Sequence, residues 1–126
     1  MKLLLDTSVV IDFLRQSNKS ATWLYALAVE GHVFSASMIT HTELYAGKSV
    51  WEKEVALGEL RGLFSAIRLV PITETISQTA GKIRSVYNLD LIDAIIAATA
   101  VEEKITLATL NYKHFASVEG VKLLEV

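Results

Sequence analysis

The chain has 126 residues, of which 52% are hydrophobic and 21% charged, and its formal net charge is −2. That balance excludes a disordered polypeptide, and the charge excludes a nucleic-acid binder relying on bulk phosphate neutralisation, which would be strongly basic. The absence of cysteine excludes disulfides and thiolate metal sites.

Six glycines and one proline leave little room for a linker, so a single domain over residues 1–126 is expected. The run Met1-Lys2-Leu3-Leu4-Leu5 starts like a signal peptide, but Asp6 and Asp12 interrupt it and no small-residue cleavage pattern follows. The apolar stretch from Ala94 to Val101 falls far short of the ~20 residues that span a bilayer. A soluble, cytoplasmic protein is the expectation.

In chain order, Leu3-Leu4-Leu5 is a continuous apolar run of the kind that forms a strand buried on both faces, and it ends at Asp6. Asp6, Thr7 and Ser8 can each cap the helix carried by Val9, Val10, Ile11, Phe13 and Leu14. A second helix is expected from about Ser20 to Glu30, with Trp23, Leu24, Leu27 and Ala28 inward and Gly31 as its stop. His32 to Ala36 reads as a strand, followed by a helix that carries Glu43 and ends near Gly47. One helix is expected over 50–64, with Val55, Leu57, Leu60, Leu63 and Phe64 as its apolar residues, then a strand over 67–72 whose Pro71 suits an edge or an end. Helices follow over 73–87 and 91–104, then a strand over 105–108, a helical turn over 112–116 and a last strand over 121–126. Strands alternating with helices predict a parallel sheet covered on both faces.

Ligands of open parallel sheets bind beyond the carboxyl ends of the strands, where strand order reverses. Asp6 directly follows the first strand, Glu43 lies one or two helical turns after the second, and Asp93 opens the most apolar helix. Each has a plain alternative. Asp6 fits a helix N-cap, Glu43 a solvated helix acid, and Asp93 a first-turn acid stabilised by the helix dipole, with Asp90 the better cap of that helix. Together they point to chemistry, because carboxylates sharing a cleft raise one another's pKa until a hard divalent cation removes the cost.

Four stretches carry a wider pattern: Leu-Leu-Leu-Asp-Thr-Ser-Val-Val-Ile-Asp at 3–12, Thr-Glu-Leu at 42–44, Ile-Arg-Ser-Val-Tyr-Asn-Leu-Asp-Leu-Ile-Asp-Ala-Ile-Ile-Ala-Ala-Thr-Ala at 83–100, and Leu-Ala-Thr-Leu-Asn-Tyr-Lys-His-Phe at 107–115. In order and spacing they resemble the PIN-domain ribonucleases, and among these the VapC toxins of VapBC toxin–antitoxin systems. The resemblance implies a three-layer α/β/α domain with a central parallel sheet, in which Asp6, Glu43 and Asp93 hold Mg²⁺ or Mn²⁺. It implies that the hydroxyl of Ser8 or Thr7 supports the first carboxylate. It also implies an endoribonuclease acting through a metal-activated water on an RNA substrate, a homodimer, and inhibition by a small antitoxin protein. One departure stands out: Asn111 occupies a position where the pattern often supplies a fourth acid, and His114 one where Asp is frequent. Asn111 offers a carbonyl oxygen but no charge, which favours one strong metal site over two.

Arg15, Lys48, Arg84 and Lys113 are candidates to hold RNA phosphates around the cleft, each with the alternative of a solvated surface charge. His32, His41 and His114 are expected at a strand end, on a helix surface and in a loop rather than as ligands. Trp51, Leu57, Leu60 and Phe64 together exceed what a small core is expected to use, which suits a dimer. A PIN nuclease of RNA processing without an antitoxin would carry the same motifs. A non-catalytic protein-binding PIN module draws support from Asn111 alone. A phospho-accepting receiver would need adjacent acids after the first strand and a lysine after a late one, where this chain has Ala108-Thr109.

Overall fold

In the computed structural model, which describes residues 1–125, four parallel strands form one sheet in the order β3-β2-β1-β4. They are β1 (Lys2–Leu5), β2 (Val33–Ser37), β3 (Ile67–Val70) and β4 (Thr106–Ala108). The helices are α1 (Thr7–Arg15), α2 (Trp23–Val29), α3 (Met38–Tyr45), α4 (Lys48–Glu52), α5 (Glu54–Phe64), α6 (Glu74–Tyr87), α7 (Leu91–Glu103) and α8 (Tyr112–Phe115). The three-layer α/β/α architecture is therefore present.

Why β1 is apolar at every position follows from the pleat. Successive side chains alternate faces, so Leu3 and Leu5 enter one core with Val9, Val10, Leu24, Leu27 and Leu60, while Leu4 enters the other with Ile83, Ala97, Leu107 and Phe115. All three leucines are completely buried. Alanines 94, 97, 98 and 100 are also buried, and their small side chains let α7 lie close against α6 and the sheet.

Register then positions the site. Leu5 pairs with Ala108, and the Asp6 N–H donates to the Ala108 carbonyl at 2.9 Å, so the ends of β1 and β4 are level. After β1 the chain crosses toward β2, whereas after β4 it turns to the opposite side, where Leu123 bridges Leu107. The crevice that opens at such a reversal lies over Asp6.

Several expectations change. The helix expected over 50–64 is two helices, because Lys53 is extended (φ −129°, ψ 119°) and a single such residue is invisible in a 3.6-residue pattern. Val55 is left exposed beside that break, and Ala28 faces outward on α2. The N-terminal part of the second helix is a 3-10 turn over Lys19–Ala21, with Thr22 capping α2. The strand expected over 121–126 reduces to the single Leu107–Leu123 bridge, since three-residue β4 offers little edge to pair with; Val126 lies outside the described residues. Of the four residues assigned to a dimer surface, Leu60 and Phe64 are core and Leu57 is half-buried, while Trp51 is 65% exposed. Pro71 follows edge strand β3, as its missing N–H requires.

Candidate active site

Asp6, Glu43 and Asp93 line one cleft at the carboxyl end of the sheet, together with Thr7, Ser8, Ile11, Asp12, Arg15, Gln16, Asp90, Ile92, Leu110 and Asn111. Three separate junctions deliver the acids. Asp6 ends β1. Glu43 is on α3, which starts directly after β2 because Ser37 both closes the strand and caps the helix, accepting the Ile39 N–H at 3.2 Å. Asp93 lies in the first turn of α7, whose cap is Asp90, accepting the Ile92 N–H.

Asp6 occupies the N-cap position of α1 yet makes no side-chain cap bond. Its Oδ2 instead accepts from the Ser8 hydroxyl at 2.6 Å and the Thr109 hydroxyl at 2.7 Å. Each hydroxyl is fixed in turn by a backbone donor, Leu110 N–H to Ser8 at 3.1 Å and Asn111 N–H to Thr109 at 2.9 Å. Asp6 is only 2% exposed, and its Oδ1 has no hydrogen-bond partner among the described residues. Thr7 serves a different acid, donating to Glu43 Oε1 at 2.7 Å. A hydroxyl has one hydrogen, so the Thr40 hydroxyl, 3.0 Å from Thr7, completes the pair by donating to it. Asp93 Oδ2 is 3.1 Å from His114 Nδ1.

The charges oppose one another. Burial pushes the Glu43 carboxyl up from its ordinary value, with further upward contributions from Asp6, Asp93 and Asp90; the Thr7 hydrogen bond opposes them. Asp93 is raised by burial and by Asp6 and Asp90, against the moderating His114. Burial and neighbouring like charge both disfavour the ionised form of a carboxyl, which is why the two values rise together.

The PIN domain family pattern matches residues 3–121 of the chain. The chain belongs to the PIN-domain family. It is 33% identical over 117 residues to ribonuclease VapC19 of Mycobacterium tuberculosis, covering 89% of this chain and 90% of that protein. A toxin–antitoxin complex from Klebsiella pneumoniae contains a chain that matches it with TM-score 0.78 and 29% identity, over 98% of this chain and 99% of that one. VapBC2 from Rickettsia felis, bound to a DNA fragment from its promoter, matches with TM-score 0.82 over 98% of both chains; at 22% identity this speaks for the fold alone. The matches agree with the VapC branch that the four motifs resemble.

Within this PIN domain, the structure separates the supporting roles that the sequence left between Thr7 and Ser8: Ser8 holds Asp6, and Thr7 holds Glu43. Of the four basic candidates, only Arg15 lines the cleft. Arg84 donates to the Leu89 carbonyl and ties the end of α6 to the following loop. Lys48 lies beside Glu52, 3.9 Å away on the same short helix, and Lys113 is exposed on α8. His41 packs against Tyr45 and Phe64, and His32 bonds Glu30 and the N-terminal amine. Two contributors were missed, Thr40 and Thr109, and His114, expected in a loop, stands instead on α8 and reaches Asp93. A hydroxyl residue directly after a strand that pairs beside Asp6 was the available signal for Thr109.

The donor set fits a hard cation, being entirely oxygen, with Asp6, Glu43 and Asp93 each holding one carboxylate oxygen in a hydrogen bond and leaving the other without one among the described residues. Among the described residues, no three carboxylate, imidazole or thiol side chains come close enough together to hold a metal ion by themselves. A cation here would therefore be held by one or two of the carboxylates and keep several waters, as Mg²⁺ does.

Proposed function

We propose that this chain, acting as one domain over residues 1–126, is a Mg²⁺- or Mn²⁺-dependent endoribonuclease and the toxin of a type II toxin–antitoxin pair. The observation that carries the proposal is the meeting of Asp6, Glu43 and Asp93 in one cleft, each with its own hydrogen-bond support and, among the described residues, with no lysine or arginine paired to any of them. The ribonuclease name of the 33%-identical relative and the toxin–antitoxin complexes among the structural matches support the activity and the partner class.

A cation held at Asp6, Glu43 and Asp93 would acidify a water toward neutrality and stabilise charge building on the phosphoryl oxygens. Asp6, gripped on Oδ2 by Ser8 and Thr109, offers Oδ1 to the cleft; Glu43 is aimed by Thr7, and Asp93 enters the same cleft from the first turn of α7. Arg15 at the rim receives an RNA phosphate, and Asn111 adds an uncharged oxygen. Unpaired RNA is the expected substrate, because splayed bases and a flexible backbone enter a cleft that a rigid A-form helix does not. An exposed Trp51 and Val55 leave apolar surface for a homodimer contact.

Cleavage of single-stranded RNA by the purified protein tests the activity. Products are expected with Mg²⁺ or Mn²⁺ and none in EDTA or with Asp93→Asn. Undiminished cleavage in excess EDTA would sink the proposal.

A further inference from the structure

The segment from Thr109 to Phe115 supports two of the three acids at once. Its first residue donates to Asp6. Its backbone N–H groups at 110 and 111 are anchored on the Ser8 and Thr109 hydroxyls. Its last residue, Phe115, is fully buried against α7 and pins the short helix α8. His114 sits just before that anchor, its own N–H bonded to the Asn111 carbonyl at 2.9 Å, and its ring reaches Asp93 across the cleft wall.

We infer that His114 is a positioning residue for Asp93: Nδ1–H donates to Oδ2 and leaves the other carboxylate oxygen turned to the cation. This rests on the metal-site proposal above. An ionised carboxylate only accepts, so Nδ1 carries the hydrogen whether the ring is neutral or charged, and the role does not depend on protonation state. The pairing is not a means of holding the fold together. The His114 side chain is 54% exposed, and Phe115, not His114, fills the core. Hydrogen bonds to ligating carboxylates fix the geometry of a metal site, and their loss weakens binding by about 10- to 100-fold. The ring lies on the Asp93 side, whereas Asp6 and Glu43 have hydroxyl donors, so each acid has one kind of support and none is shared.

The test is Mn²⁺ titration by calorimetry on wild type, His114→Ala, His114→Asn and His114→Gln, beside metal-free melts. The Asn amide nitrogen stands two bonds from Cβ, where Nδ1 was; the Gln amide stands one bond further out. His114→Ala and His114→Gln are expected to weaken Mn²⁺ binding about 10- to 100-fold, with melting temperature little changed, and His114→Asn to restore most of the affinity. If wild type binds Mn²⁺ and all three variants bind it equally, or Asn restores nothing that Ala lost, the inference fails while the metal site stands. If wild type itself binds no Mn²⁺, both fail together.

Discussion

The two ends of the sheet treat charge in opposite ways. At the amino ends of the strands, Arg68 lies 3.3 Å from Glu103, and the N-terminal amine, His32 and Glu30 form a hydrogen-bonded chain. At the carboxyl ends, Asp6, Glu43, Asp90 and Asp93 share a cleft whose cationic neighbours are Arg15 at the rim and His114 when protonated. Neutral hydroxyls support Asp6 and Glu43 there, orienting carboxylates without cancelling their charge. Opposite charges meet at the first end, whereas at the second the acids face one another and, among the described residues, no lysine or arginine is ion-paired with them.

The sharpest break of that contrast is in activity. Asp6→Asn and Glu43→Gln are each expected to bring RNA cleavage to background, whereas Arg68→Ala at the paired end leaves the rate unchanged. Next comes Thr109→Val, which keeps the shape but leaves the Asn111 N–H without its acceptor and removes one donor from Asp6. Urea unfolding is expected to show a loss of about 1–3 kcal/mol, the scale of taking a hydrogen bond from a buried carboxylate. A change within error would mean that the hydroxyl contributes nothing to holding the cleft.

A pH series sharpens the comparison further. Glu43 and Asp93 have folded pKa values above their ordinary ones, so the native state binds their protons more tightly than the unfolded chain. Their contribution to metal-free stability is greatest when both are protonated. It declines as pH rises through the ordinary carboxylate range to the raised folded values, then levels off. Melts of wild type minus Glu43→Gln between about pH 4 and pH 8 are expected to show that decline, and saturating Mn²⁺ to reverse it. The smallest effect belongs to the paired end: Arg68→Ala is expected to cost less than about 1 kcal/mol, as exposed ion pairs do.

Much of the frame was legible from local pattern. The triple leucine announced a strand buried on both faces, and a carboxylate at its end placed Asp6 in the crevice. Asp90 was identifiable as the cap of α7, which freed Asp93 for another role. What escaped was long-range. Thr109 meets Asp6 across 103 positions, Thr40 meets Thr7 across 33, and His114 meets Asp93 across 21. These contacts exist only once β1 and β4 are in register and α8 is docked, and no window of neighbouring residues contains them. The basic residues fared worst for the same reason: Arg84 has the composition of a phosphate ligand, but the left-handed turn at Asn88 brings the Leu89 carbonyl within its reach.

The central claim is that Asp6, Glu43 and Asp93 are held in mutual repulsion for a cation to relieve. Thermal melts of wild type and Asp93→Asn, with and without Mn²⁺, test it most directly. Without metal, Asp93→Asn is expected to melt at or above wild type, by on the order of 1 kcal/mol, the scale of a modest pKa shift. With Mn²⁺, wild type gains stability as the ligand concentration exceeds its Kd, and the variant gains far less. If Asp93 serves only the dipole of α7, the order reverses: the variant melts several degrees lower without metal and gains as much from Mn²⁺ as wild type. That second result would contradict the account.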